Sequence, residues 1–259
     1  MTATRRPPYA VLAAYYDEVD GLWRDLLSPA RDEILRANGV SLETVLDVGC
    51  GSGWQSLELA RRGSRVVAVD PAAPFLAPLR STARRERLAV DVRRGEALGL
   101  PLRPGESFDL ALATFDVLNH LRGHEELAPA LAGIAKALRP GGHLLFDLNT
   151  PETVEAFPDH HRVTHLHGGG LSAERGSYDA TTGIGTVTRD WFLPEDGAPG
   201  RFRRRREHYR EIAWTRAEVR RALRSAGLSV RLFADASGWL SFQPEGTRWI
   251  VLARRRAGR

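Results

Sequence analysis

Three glycines at alternate positions, Gly49, Gly51 and Gly53, follow the apolar residues 45–48 in the stretch VLDVGCGSGW, and Asp47 sits inside that apolar run. Glycine at this spacing strips side chains from a turn, so that backbone can approach a ligand closely. A dinucleotide-binding turn has the order G-x-G-x-x-G, whose last glycine lets helix and strand pack. Counted from Gly49, the sixth position is Trp54 and the third glycine comes one place early, so the spacing favours a ligand without a diphosphate. Seventeen residues beyond Gly53, Asp70 ends the next apolar run, RVVAVD, where a carboxylate can accept both hydroxyls of a ribose. Glu96, in RRGEALGLP, could sit beside an adenine ring, and Asp47 could bind a charged tail such as an ammonium group. Together these residues suggest a nucleoside ligand.

Such a turn does this work between a strand and a helix of a parallel sheet. Residues 9–38 read as helical, with apolar positions Val11, Leu12, Tyr15, Val19, Leu22, Leu26, Ile34 and Leu35 and a break expected at Ser28 and Pro29. From Thr44 the period changes. TVLDVG, RVVAVD, LAVDVRRG, FDLALATF and HLLFDLN read as strands. Between them WQSLELARRG, residues 75–87 and EELAPALAGIAKAL read as helices, with RPGG a turn before the fifth strand. Parallel connections need a crossover helix, so this alternation predicts a parallel sheet covered on both faces. Residues 150–213 carry antiparallel strand signals and few helical stretches. The helix TRAEVRRALRSAG, opened by Thr215 with Glu218 three residues on, and the strands LSVRLFAD and TRWIVLARR would complete the sheet. The expected organisation is one α/β domain: a helical cap over 1–43, a core over 44–149, a β-rich insertion over 150–213 and a completion of the core over 214–259.

At 259 residues the chain can bury a substantial core, and its 42% hydrophobic and 27% charged residues fit a globular protein. No apolar run approaches the roughly 20 residues of a spanning helix, and the N-terminal apolar stretch is too short and acidic for a secretory signal, so no membrane and a cytoplasmic location are expected. Cys50, the single cysteine, leaves no internal disulfide or cysteine metal cage. The net charge of +5 comes from arginine with one lysine, Lys136, a bias that genome composition alone produces, so it argues little for nucleic acid. His160, His161, His165 and His167 have no carboxylate at a metal-site spacing, and no metal is expected. In RFRRRREHYREI, Arg204, Arg206, His208 and Arg210 alternate with Arg203, Arg205, Glu207, Tyr209 and Glu211. Such a run ordinarily forms a solvated edge. Were one face to meet the cleft, Arg206 and His208 are the candidates for substrate contact, with a preference for acidic groups.

In this order and spacing, VLDVGCGSG, VVAVD, GEALGLP, FDLALATFDVLNHL and LRPGGHLLFDLN resemble the class I S-adenosylmethionine-dependent methyltransferases over residues 44–150, and more loosely over 214–259. The resemblance implies a Rossmann-like seven-stranded sheet with a reversed final hairpin and S-adenosylmethionine across the carboxyl edge. It implies Asp47 near the methionine end, Gly49, Gly51 and Gly53 beneath the ligand, Asp70 on the ribose, Glu96 with Ala97 at the adenine, and Thr114 at the end of the fourth strand. The N-terminal YYDEV and the β insertion resemble the small-molecule branch with glycine N-methyltransferases and amino-sugar N,N-dimethyltransferases. On that likeness His120 would orient the nucleophile or take its proton, and Asp116 and Asn119 would bond the substrate. Tyr16, with Tyr15 beside it, would close over the cofactor.

The reaction class implied is methyl transfer to nitrogen or oxygen of a small-molecule metabolite. An RNA or DNA methyltransferase using the arginine-rich strand 201–210 is a second reading, although TFDVLNHL lacks the Asn/Asp-Pro-Pro-aromatic signature of base methylation. A non-catalytic cofactor-binding module is a third. Exposed insertion strands are also compatible with pairing into a homodimer.

Overall fold

A computed structural model describes residues 9–256 except 196, 199 and 241–243; of residues 22–26 only the backbone is described. The expected helix positions Leu22 and Leu26 therefore lie outside the described side chains, as residues 1–8 of the cap lie outside the described chain. Two helices open the structure, α1 (Leu12–Val19) and α2 (Gly21–Ala37). The break falls at Asp20 and not at Ser28 and Pro29, because α2 runs through Pro29. Asp20 adopts φ −126° and Gly21 follows it, a poor helix former where continuity would be needed.

The core alternates β1 (Thr44–Val48), α3 (Trp54–Arg61), β2 (Arg65–Asp70), α4 (Ala73–Arg85), β3 (Val90–Arg94), β4 (Phe108–Ala113), α5 (Leu127–Ala137) and β5 (Leu138–Asn149). All six residues of β4 are buried, as a strand covered on both faces requires. The sequence RPGG does not form a separate turn. It lies inside β5, with Gly141 at φ +85° and a shift in the β4–β5 register at this point, because glycine can take the conformation that a bulge demands.

A short α6 (Pro151–Glu155) leads into the insertion strands β6 (His161–His165), β7 (Leu171–Asp179), β8 (Ile184–Pro194) and β9 (Phe202–Ile212). The chain closes with α7 (Arg216–Ser225), β10 (Leu228–Asp235) and β11 (Arg248–Arg255). Thr215 and Glu218 form the reciprocal cap expected at the start of α7.

Seven strands form one sheet in the order β3-β2-β1-β4-β5-β11-β10, parallel except where β11 runs against β5 and β10. The order reverses between β1 and β4, so a crevice opens at the carboxyl ends of these two strands. Insertion strands β6-β7-β8-β9 form a second, antiparallel sheet. Its strand β9 ends beside the turn after β4, and its inner residues Trp191 and Tyr209 pack with Leu12 and Val19 of α1. The insertion thereby sets the cap over the sheet edge.

Candidate active site

The glycine turn hangs from the end of β2: Val69 carbonyl accepts from the amides of Gly49 (2.8 Å) and Cys50 (3.0 Å). Asp70, buried, accepts from the amide of Gly51 at 2.9 Å and of Ala72 at 2.7 Å. The three glycines have different tasks. All adopt positive φ, but a side chain at Gly49 would strike Val117 and one at Gly53 would strike Leu79, whereas the missing Cβ of Gly51 faces open space. Of the three, Gly51 borders open space, and the other two let elements pack.

That pair of residues fits an adenosyl group. A carboxylate offers about four lone-pair directions, and the two amides use two of Asp70's, leaving acceptors for a hydroxyl pair beside the open Gly51. Burial raises the Asp70 carboxyl above its usual range, against which the amides of Ala72 and Gly51 act. Asp47 faces inward instead, taking the Ser56 hydroxyl at 2.5 Å and the Gln55 amide at 3.3 Å; burial lifts its pKa to about 6. Thr114 accepts from the same Gln55 amide at 3.2 Å. The Asp47 carboxylate is thus engaged by Ser56 and Gln55. Glu96 is exposed and pairs with Arg122, while Ala97 packs on the core. A cavity of about 920 Å³ opens beside the turn, lined by Asp17, Ser52, Trp54, Phe75 and Leu79 among others.

After β4 the chain holds two consecutive non-glycine residues in the left-handed region, Phe115 (φ +66°) and Asp116 (φ +50°). Buried Asp147 of β5 over-determines this strained turn: its carboxylate takes the amides of Phe115 (2.6 Å) and Asp116 (3.2 Å) and pairs with Arg248 of β11. Arg248 reaches Asp116 as well, at 2.9 Å. The turn so fixed sets His120 with its Nδ1 on the Arg210 carbonyl at 2.9 Å and its Nε2 3.6 Å from Asp116. Burial opposes protonation of His120, but Asp116 and Glu211 outweigh it and carry its pKa to about 9. Asp116 is held low against burial by Arg248 and His120, and Glu211 is raised by burial and by Asp116. One ligand atom each from Asp116, His120 and Glu211 lie within 4.8 Å of one another. His120 keeps 30% and Asp116 19% of the side chain accessible, whereas Glu211 is buried.

Asn119 is not at the cleft surface. It is fully buried, with Nδ2 donating to the carbonyls of Asn149 (3.0 Å) and Ile212 (2.9 Å) and Oδ1 accepting from the Asn149 amide (3.1 Å), so its amide joins β5 to β9 and both its N–H donors are spent. Arg206 and His208 also point elsewhere. Arg206, with Arg204, grips Asp190, and His208 bonds Thr188 at 3.0 Å, because the even-numbered face of β9 turns away from the cleft. The odd face turns toward α1. There Glu207 accepts from the amides of Val11 (2.8 Å) and Leu12 (3.1 Å), from Trp191 Nε1 (3.0 Å) and from the Tyr209 hydroxyl (2.6 Å).

Held this way, the cap brings Tyr9 and Tyr16 over the strand ends. Tyr9 lies 6.1 Å from the Phe75 ring, 6.2 Å from His120 and 5.1 Å from Tyr209; Tyr16 meets Phe75 edge-on at 5.4 Å. Burial, with Asp20 and Asp116 nearby, pushes the Tyr16 phenol far up. Tyr15 stacks on Trp191 at 5.5 Å, away from this group. Of the four insertion histidines, His160 bonds Glu174, His161 the Asp159 carbonyl and His167 pairs with Glu18, so they do not converge. Reading by residue type passed over Tyr9, Asp147, Glu207, Glu211 and Arg248. An acid inside the apolar run HLLFDLN, and two acids on one face of β9, were the available signals.

Residues 45–142 match the family described as Methyltransferase domain. The whole fold is that of the class I S-adenosylmethionine-dependent methyltransferases: an S-adenosylmethionine-dependent methyltransferase from Clostridium acetobutylicum ATCC 824 superposes with TM-score 0.78 over 96% of this chain and 99% of that one, at 17% identity. The amino pentose methyltransferase CalS10 of Micromonospora echinaspora, solved with SAM bound, matches 94% of this chain and 95% of its own at 23% identity and TM-score 0.69. In sequence, the cypemycin N-terminal methyltransferase of a Streptomyces species is 37% identical over 123 residues, 47% of this chain and 49% of that protein. The chain spans about half the length of the curated relatives it matches. No helix of the methyltransferase fold described is long and apolar enough to cross a membrane.

Proposed function

We propose that this chain transfers a methyl group from S-adenosylmethionine to nitrogen, or to oxygen, of a small-molecule acceptor. Bound at the glycine turn, the cofactor supplies an activated methyl on a sulfonium. The chain's tasks are to hold that group, orient the acceptor, exclude water and handle one proton. Gly51 and Asp70 would hold the adenosyl part, and Tyr9 and Tyr16 close the cleft against water. The observation that carries the reading is the coincidence, at the reversal between β1 and β4, of an adenosyl-compatible turn with the cluster Asp116, His120 and Glu211. Relatives named for the N-terminus of cypemycin and for an amino pentose are in line with a nitrogen acceptor.

The test is isothermal titration with S-adenosylmethionine and its demethylated product. Asp70→Ala should weaken both by about 10- to 100-fold, as a buried hydroxyl pair loses its charged acceptor. Unchanged affinity would refute the ribose assignment, and no binding to the wild type would overturn the function. The nucleic-acid reading loses support because Arg204 and Arg206 are engaged by Asp190. A homodimer through the insertion remains a proposal for sizing measurements on the intact chain.

A further inference from the structure

We propose that Glu211, delivered to the cleft by the insertion strand β9, receives the ammonium group of the acceptor and takes its proton, which makes the acceptor a basic amine. The inference deepens the methyltransferase reading and rests on it.

Its neighbours first make His120 a poor proton acceptor. Its Nδ1 sits 2.9 Å from a backbone carbonyl, which can only accept, so Nδ1 carries hydrogen. Its Nε2 faces the Asp116 carboxylate at 3.6 Å, and a second hydrogen there is favoured. Below its raised pKa of about 9 the ring is mainly an imidazolium, which has no lone pair to offer.

The charges then leave the cluster one cation short, with the carboxylates of Asp116, Asp147 and Glu211 set against Arg248 and His120. Arg248 serves both Asp116 and Asp147, and His120 serves Asp116. Among the described residues, no cation forms an ion pair with Glu211, although it is only 7% exposed. Its Oε2 takes one hydrogen bond, from Asn149 Nδ2 at 2.7 Å. Facing it are Asp116 and His120 from the turn after β4, Arg248 from β11, Asn149 from β5 and Tyr9 from the cap. A buried carboxylate beside another carboxylate is costly unless a cation arrives or it binds a proton. A protonated amine offers both in turn.

The proton balance is simple. The ammonium R–NH₃⁺ gives one proton to the Glu211 carboxylate, leaving R–NH₂ with a lone pair and a neutral carboxyl. As the nitrogen–carbon bond forms, the methyl carbon's bond to sulfur breaks and its electron pair stays on sulfur, so the positive charge moves from sulfonium to nitrogen. An alcohol acceptor brings no cation for Glu211, which separates the two acceptor classes.

The experiment uses the full-length wild type with ¹³C-labelled glutamate side chains. The Glu211 carboxyl signal is assigned by its loss in Glu211→Gln, or by its displacement in Glu211→Asp if the glutamine variant does not fold. The signal should titrate well above the ordinary carboxylate range. Methylammonium chloride at ~100 mM should lower the midpoint by about 0.5 pH unit or more, whereas sodium chloride at equal ionic strength should not. A midpoint in the ordinary range, or one that both salts move equally, would overturn the inference. Calorimetric titration with S-adenosylmethionine on the same sample separates the two levels. No binding removes the methyltransferase reading on which the inference stands; normal binding with an unmoved Glu211 sinks the inference alone.

Discussion

Replacing Glu207 by glutamine should release the N-terminal cap while leaving the seven-stranded sheet intact. Glu207 collects four donors, the amides of Val11 and Leu12, the indole of Trp191 and the hydroxyl of Tyr209. Glutamine has nearly the same shape but one accepting oxygen, and its amide nitrogen is itself a donor. At least one of the four donors, the Val11 amide, then faces another N–H, and the other three lose a charged acceptor. Hydrogen bonds to a charged group contribute about 1.5–3 kcal/mol each, and the amides of Val11 and Leu12 can regain water once the cap lifts, so a net cost of about 3 kcal/mol is reasonable. That free energy corresponds to roughly a 100-fold rise in the undocked population of α1. Hydrogen exchange measured by mass spectrometry should show faster exchange over residues 9–19, with β4 and β5 unchanged and the unfolding midpoint lowered by only a few degrees. Affinity for S-adenosylmethionine should fall, since Tyr9 and Tyr16 leave the cleft with the helix. Unchanged exchange of α1 would refute the reasoning. So would equal acceleration of α1 and the core strands, which would make Glu207 a support of the whole fold instead of a latch for the cap.

The glycines should separate by task. Gly51→Ala should cost about 1 kcal/mol through its positive φ and weaken cofactor binding because its methyl enters open space, whereas Gly53→Ala should cost several times more stability because its methyl meets Leu79. Denaturant titration and calorimetry on the pair decide it, and equal stability losses would count against the assignment. Stability should also fall as pH rises. With a folded pKa of about 9 against 6.5 for the free side chain, His120 contributes fully below pH 6.5 and loses its contribution between 6.5 and about 9; the ceiling is about 3 kcal/mol. Glu211, raised in the folded state, acts with the same sign at lower pH, its contribution being lost as pH rises above the ordinary glutamate value. Urea midpoints across this range should decline for the wild type and be flatter for His120→Asn; parallel slopes would show that another group titrates.

What the sequence determined by itself is the scaffold and one end of the site. Alternating apolar strands and amphipathic helices, with glycines at 49, 51 and 53 and an acid at 70, allow few arrangements, since parallel strands need crossover helices and a bare turn needs a ligand beside it. These are local signals, carried by residues close in the chain. Even there, which glycine faces open space was decided by the neighbours Val117 and Leu79, far along the sequence.

The opposite end belongs to the tertiary structure. Asp116, Asp147, Glu211 and Arg248 come from four separate segments and meet because β9 ends against the turn that β5 and β11 pin. Period-two alternation divides β9 into two faces but does not say which one turns inward; the face of Arg206 and His208 is the exposed one, and that of Glu207 and Glu211 is buried. Charge density along a strand reports its exposed side as readily as its functional one. Burial and the balance of counter-charges, which only the folded chain creates, separate the arginines spent on Asp190 from the acid left to meet a ligand.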